Sequence, residues 1–309
     1  MKAISYYLKL VRWPNLLVIA LTQWLFYICI NRQLLMWTPF DEIFSITVVI
    51  CVLCAAAGYI INDYFDVAID QINKPDKMIL GKYITPKMGK SVYIFMLIIT
   101  EILSIYCDTQ WASFWITAMT TAINILLYFY SKYWKKSFFI GNFVVALVTS
   151  APILYCFLPI YFKSFLVSEL WMWLCIIYFY FSFLTCLIRE IVKDLEDRAG
   201  DQALGANTLA IALGEKKSKF VVTIFTVLLV LPVTYFGYVF YTMQIWLFAV
   251  YIIALLVFPI VYFLISFLNA KNPKDYHQAS TQLKIIMLLG IFFLIFLRLV
   301  AYSFTSLFI

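Results

Sequence analysis

The chain has 309 residues, 65% of them hydrophobic and 19% aromatic, and only 13% charged, about half of the roughly 25% usual for soluble domains. So little polar surface cannot cover a soluble fold of this length, and disordered, collagen-like and nucleic-acid-binding classes are excluded on the same grounds. The formal charge of +7 informs by its position rather than its size.

A bilayer core needs about 20 apolar residues per helix. Nine such runs follow one another, at roughly 14–31, 43–62, 90–107, 111–130, 138–160, 169–189, 220–241, 244–268 and 284–306. No small-residue cleavage signal follows the first, so it reads as a helix rather than a signal peptide. The expectation is an all-α polytopic membrane protein of nine transmembrane helices, forming one domain over 1–309. Of the 23 Lys and Arg, twenty lie at the amino terminus or in the loops after the even-numbered runs, against Arg32 and Lys163 on the other side and Arg298 inside the ninth run. Basic residues stay cytoplasmic, which predicts a cytoplasmic amino terminus. The seven cysteines imply no disulfide framework. Cys51 and Cys54 have CxxC spacing but no further ligands, and read as small packing residues.

Two long loops on the basic side carry clustered acid. One reads Asn62-Asp63-Tyr64-Phe65-Asp66-Val67-Ala68-Ile69-Asp70, the other Asp194-Leu195-Glu196-Asp197-Arg198-Ala199-Gly200-Asp201. Both place Asp at i, i+3 and i+7, offset by 131 residues, which suggests two related halves. On a helix these positions share one face, where like charges repel and charge at membrane depth is costly. Something positive must compensate. Mg²⁺ combines carboxylates with substrate phosphates, and nearby Lys or Arg could also serve. The functional reading is a pair of facing acidic walls holding Mg²⁺ and a diphosphate; the bland one is two solvated, charge-balanced loops.

On these residues the chain resembles the UbiA-type intramembrane prenyltransferases, whose NDxxDxxxD and DxxDxxxD motifs appear in full at Asn62–Asp70 and Asp194–Asp201. Arg12-Trp13-Pro14-Asn15 and Asn73-Lys74-Pro75-Asp76-Lys77 match family segments more loosely, with Lys77-Met78-Ile79 where the family often has Arg-Pro-Ile. The resemblance implies nine helices around a central cavity and Mg²⁺ as cofactor. The metal ligands would be Asp63, Asp66, Asp70, Asp194, Asp197 and Asp201, with Asn62 beside them. Lys74, Lys77, Lys132, Lys135, Lys193 and Arg198 would hold the diphosphate, with Arg189 a further candidate. The family's Tyr followed by Lys is matched by Tyr128 with Lys132 or by Tyr130 with Lys135, and both registers stay open. Arg189-Glu190-Ile191-Val192-Lys193 before the second motif is most similar to the branch that makes archaeal-type ether lipids. That branch transfers geranylgeranyl to geranylgeranylglyceryl phosphate.

The implied reaction takes a prenyl diphosphate and a lipophilic acceptor within the lipid bilayer, with the active site facing the cytoplasm. Mg²⁺ and fixed cations would stabilise the leaving group, and Tyr128 or Tyr130 would face the allylic cation. Glu190 could act as a base. Glu101 and Arg298 are intramembrane charges that could pair, snorkel or line the pocket. Gly141-Asn142 reads as a close-packing and polar contact, and His277 as a solvated loop residue. An aromatic acceptor such as 4-hydroxybenzoate is the alternative within the family. A transporter is the alternative outside it, although acid in loops and two halves facing the same way fit that poorly.

Overall fold

The computed structural model describes residues 2–31, 39–73, 78–163, 169–203 and 205–305. The described residues are helical apart from short connections, with one isolated bridge between Leu80 and Ile84. The helices are α1 (Lys2–Leu10), α2 (Trp13–Phe26, continued by a π turn to Asn31), α3 (Pro39–Asn73), α4 (Pro86–Trp111), α5 (Trp115–Lys132), α6 (Ile140–Lys163) and α7 (Glu169–Glu196). They continue with α8 (Arg198–Ala203), α9 (Leu209–Thr242), α10 (Trp246–Tyr251), α11 (Phe258–Asn269) and α12 (Pro273–Thr305).

Among the described residues, each expected apolar run is mostly helical. Seven helices among the described residues are long and apolar enough to cross a membrane: Glu42–Ala68, Pro86–Trp111, Ile140–Phe157, Trp173–Glu196, Leu209–Thr242, Trp246–Asn269 and Pro273–Val300. The first expected run forms a shorter apolar helix, Trp13–Cys29. The fourth is α5, whose Thr117, Thr120, Thr121 and Asn124 dilute its apolar character.

The chain divides into two compact units. The first comprises 1–27, 32–135 and 151–175. Here α3 packs against α4 and α5 through Ile50, Cys51, Cys54, Cys107 and Ile116. Nearer the acidic segment, Leu10, Ala57, Ile60, Ile61 and Leu80 form a second cluster. Buried Asp108 closes the α4–α5 turn. Its carboxylate accepts from Ser113 Oγ, from Ile116 N at 3.2 Å and from Thr117 N at 2.8 Å, which satisfies amides that the start of a helix leaves open. Glu101 on α4 accepts from Thr121 and Asn124 on α5 at 2.9 and 3.3 Å. It therefore ties two helices together. At the start of α4, Thr85 Oγ1 accepts from Met88 N at 3.3 Å, with Pro86 behind it.

The second unit comprises 28–31, 136–150 and 176–309. Its core joins α7, α9, α11 and α12 through Leu187, Ile188, Ile191, Val222, Phe263, Phe267, Leu283 and Ile286. A π turn at Ile252–Val257 links α10 to α11 just before Pro259. Proline lacks the amide for an i→i−4 bond, and a wider turn accommodates that loss. On α12, a side chain at Gly290 would come within 2.7 Å of Phe181 on α7, so the glycine sets how closely those two helices approach.

Candidate active site

The first acidic segment is not a loop, contrary to expectation. Asn62–Asp70 lies inside α3, which runs unbroken to Asn73. Between the last two aspartates stand Val67, Ala68 and Ile69, with no glycine or proline to interrupt the helix. Continuous helix brings Asp63, Asp66 and Asp70 onto one face. Together with Asn62 they line a cavity of about 370 Å³, alongside Lys9, Arg12, Lys135, Met78 and Ile79. Asp66 is buried, and the amide oxygen of Asn62 is buried without a hydrogen-bond partner.

Cations from other elements meet this acidic face. Arg12 stands between α1 and α2 in left-handed conformation, with φ of 54°, a geometry uncommon outside glycine. Its guanidinium donates to Asp63 Oδ1 at 2.9 Å and lies 4.7 Å from the centre of the Tyr59 ring. Asn15 donates to the Tyr59 hydroxyl at 3.1 Å. The Arg12-Trp13-Pro14-Asn15 segment thus docks onto α3 one turn before the aspartates.

Lys135 forms an ion pair with Asp66, while Lys132 lies 5.7 Å from the Tyr128 ring and 4.8 Å from the Tyr133 ring. The register left open by the sequence therefore divides. Of the two lysines, Lys135 lines the cavity, and Tyr128 partners Lys132. Tyr128 packs edge-on to Phe65 at 5.8 Å, whereas Tyr130 is half-buried. Among the described residues lining the cavity there is no tyrosine. Lys74 and Lys77 lie outside the described residues. Lys9 was missed from sequence, although it precedes Arg12 by only three residues, at the end of α1.

The second segment has the same spacing and a different shape. Helix α7 stops at Glu196, Asp197 sits in a bend, and α8 begins at Arg198. The break falls just before Ala199-Gly200, where glycine weakens helix. The three aspartates therefore do not occupy one continuous helix face, as equal spacing had suggested. Asp194 alone is on α7, and its Oδ2 accepts from Asn142 Nδ2 of α6 at 2.8 Å. The suspected polar contact at Gly141-Asn142 is this one. Asp197 is exposed, while Asp201 and Arg198 are half-buried; Asp201 N donates to the Asp197 carbonyl at 3.0 Å. Lys193 and Arg189 both donate to Glu190 Oε1, at 2.8 and 3.0 Å. Glu190 is thus held between two cations. His277, expected to be merely solvated, is exposed yet pairs with Glu196 at 2.8 Å.

Among the described residues no three His, Cys, Asp or Glu side chains converge as a complete metal-binding group. Mg²⁺ does not require one. It typically takes one or two carboxylates and completes its shell with water and substrate phosphates. Paired carboxylates and an unpartnered amide oxygen on one cavity wall are the hard oxygen donors that such an ion prefers.

Comparison with known proteins decides the family. Residues 25–289 match the UbiA prenyltransferase family. The chain belongs to the UbiA prenyltransferase family. It is therefore a prenyltransferase. The chain is 35% identical over 241 residues to digeranylgeranylglyceryl phosphate synthase of Saccharolobus solfataricus, covering 77% of this chain and 79% of that one. It is 31% identical over 267 residues to the synthase of the same name from Sulfurisphaera tokodaii, covering 86% and 88%. Among solved structures, one of digeranylgeranylglyceryl phosphate synthase superposes with a TM-score of 0.71 at 26% identity, covering 96% of this chain and 99% of that one. A UbiA homologue from Archaeoglobus fulgidus, solved bound to GPP and Mg²⁺, shares the fold with a TM-score of 0.57 at 14% identity, covering 94% and 99%.

Proposed function

We propose that this UbiA-family enzyme transfers a geranylgeranyl group from its diphosphate to geranylgeranylglyceryl phosphate, with Mg²⁺, as one domain of nine transmembrane helices. Its two halves are related, its amino terminus is cytoplasmic, and its active site faces the cytoplasm. The observation that carries the acceptor assignment is the 35% identity, over most of both chains, to a relative named digeranylgeranylglyceryl phosphate synthase. The skewed Lys and Arg distribution supports the orientation.

Asp63, Asp66 and Asp70 in the first unit, and Asp194, Asp197 and Asp201 in the second, are the oxygen donors for Mg²⁺. Bound Mg²⁺ supplies Lewis-acid charge that favours departure of the diphosphate. Arg12, Lys135 and Lys9 stand around the first acidic face, and Lys74, Lys77 and Lys132, with Arg198 in the second unit, are further ligands for phosphate oxygens. Arg12 and Lys135 neutralise Asp63 and Asp66 in this structure. With Mg²⁺ held by those carboxylates, Arg12 and Lys135 would be available to pair with the anionic diphosphate. Tyr128 presents its ring to the allylic carbon. As the allylic C–O bond to diphosphate breaks, the acceptor hydroxyl oxygen forms the new ether bond, and its proton leaves to solvent.

The test is transfer by purified protein in lipid nanodiscs, with Mg²⁺, a geranylgeranyl donor and competing acceptors. Mass spectrometry should find the digeranylgeranylglyceryl ether phosphate as the main product. Exclusive prenylation of 4-hydroxybenzoate would overturn the acceptor and leave the family intact. Passage of substrate across sealed vesicles without bond formation would overturn the enzyme reading.

A further inference from the structure

Within the second unit, the stretch that carries Asp197 and Asp201 hangs between two held points. Helix α7 ends at Glu196, Asp197 forms the bend, and α8 follows. Helix α8 has no buried residue, and a side chain at Gly200 would meet nothing within 4 Å. Packing along its length therefore does little to hold it. Beyond α8 the chain is held again. Asn207 N donates to the Lys136 carbonyl at 2.8 Å, and Leu209 and Ala210 enter the core of the unit. Ser218 Oγ donates to the Gly214 carbonyl at 2.8 Å. Gly214, with φ of 73° and ψ of 170°, interrupts the helix here, and Glu215 opens the long part of α9.

Two consecutive residues of α12 grip both points. The Tyr276 hydroxyl donates to Glu215 Oε1 at 2.8 Å, and His277 Nδ1 lies 2.8 Å from Glu196 Oε1. Consecutive helical residues project about 100° apart, so one stretch of α12 reaches α9 and α7 together. That stretch is itself well fixed. Asp275 Oδ2 accepts from Lys271 N and Asn272 N at 2.8 and 3.2 Å, and Asn272 Oδ1 accepts from Asp275 N at 3.1 Å, which satisfies amides at the start of the helix. Lys219 of α9 pairs with Glu215 at 3.0 Å and donates to the Ala270 carbonyl at 2.6 Å. The two grips differ in strength. Tyr276 is only 4% exposed, so its hydroxyl has a carboxylate to lose and little water to replace it. The His277 side chain is 68% exposed, where an ion pair contributes little. Tyr276 is the main anchor and His277 the lesser one.

We propose that Tyr276 and His277 are positioning residues for the prenyl-transfer site: by gripping Glu215 and Glu196 they fix the two points from which α8 hangs, and so set where Asp197 and Asp201 stand when a divalent cation binds. This rests on the reading of those aspartates as oxygen donors for Mg²⁺ and adds the residues that place them. Neither side chain touches the metal or the substrate. Their contribution is preorganisation, because donors already confined near their bound positions lose less freedom when the ion arrives.

The experiment titrates Mn²⁺ into full-length protein in nanodiscs with saturating inorganic diphosphate, reading the bound ion by electron paramagnetic resonance. Wild type is compared with Tyr276→Phe, His277→Ala, His277→Gln, Glu215→Ala, the double variant Tyr276→Phe/Glu215→Ala, and Asp197→Ala and Asp201→Ala. Tyr276→Phe keeps the packed ring and removes only the hydroxyl. It should weaken Mn²⁺ binding about tenfold, the low end for groups that orient a metal ligand, since it acts through the backbone. His277→Ala should weaken it about twofold, and His277→Gln, which keeps a donor, should restore it. Adding Tyr276→Phe to Glu215→Ala should cost nothing more, because both break the same contact. In turnover, the Mg²⁺ concentration for half-maximal activity should rise by the same factors, with kcat at saturating Mg²⁺ within about twofold of wild type. Unchanged Mn²⁺ affinity in Tyr276→Phe, beside weakened binding in Asp197→Ala or Asp201→Ala, would overturn the proposal. So would a lower thermal midpoint and kcat with metal affinity intact, which would mark the contact as structural only. If Asp197→Ala and Asp201→Ala themselves bind Mn²⁺ as wild type does, the donor reading of the second segment fails instead.

Discussion

The two acidic segments carry the same Asp spacing and meet different surroundings. In the first unit the aspartates share the face of an uninterrupted helix, and cations arrive from elsewhere in the chain: Arg12 from the α1–α2 turn and Lys135 from beyond α5. In the second unit the helix ends inside the motif, and Asp194 is held by a neutral amide. The nearby cations Arg189 and Lys193 engage Glu190 instead. Spacing alone therefore specifies which oxygens are available, not how they are presented. Presentation depends on whether the intervening residues sustain helix, and on what the neighbouring helices place opposite.

The sharpest test of this contrast removes one carboxylate from each segment. Asp63→Ala and Asp194→Ala should each lower kcat by roughly 10²- to 10³-fold, the scale of losing one group that stabilises transition-state charge, read as product per folded protein by size-exclusion. Normal turnover from either folded variant would falsify the roles given to that segment. Next in size is Asn142→Ala. Groups that orient a metal ligand are worth about 10- to 100-fold in metal affinity, so the Mg²⁺ concentration for half-maximal activity should rise accordingly. Mn²⁺ binding followed by electron paramagnetic resonance should weaken in parallel. If neither moves, the Asn142–Asp194 bond is structural only.

The first segment should respond differently, because its carboxylates are paired with cationic side chains from other elements. Lys135→Gln should raise the donor KM by about tenfold, one charge-assisted hydrogen bond. In the absence of diphosphate, the same variant should bind Mn²⁺ at least as tightly as wild type. Weaker metal binding without diphosphate would show that Lys135 does not compete with metal for Asp66. Asp108→Ala touches neither segment. Losing its bonds to Ile116 and Thr117 should destabilise the protein by about 1–3 kcal/mol, seen as a lower thermal midpoint in detergent with little change in KM. Thr85→Ala, which removes a single cap at the start of α4, should cost about 1 kcal/mol.

Much of this was legible in the residues. Long apolar stretches must become helices in a bilayer, because no water is present to satisfy open backbone groups, and among the described residues each of the nine runs is mostly helical. The acidic segments were legible because charge is rare in such a chain. Other features were not. Arg12 reaches Asp63 across 51 residues and Lys135 reaches Asp66 across 69, and sequence distance carries no trace of either pairing. Lys132 and Lys135 both fit the motif, and only the end of α5 with the turn after it separates them. Asp108 looked unremarkable because its partners, the first amides of α5, are backbone groups with no signature of their own.

By itself the sequence determined the class and most of the helices, and it predicted the basic side and the acidic oxygens. These follow from local composition and from the cost of burying backbone and charge in lipid. Only the tertiary structure decided which cation meets which aspartate, that Asn142 rather than a lysine holds Asp194, and that the second segment breaks where the first continues. Those outcomes depend on which helices lie side by side, and electrostatic pairing acts through space rather than along the chain.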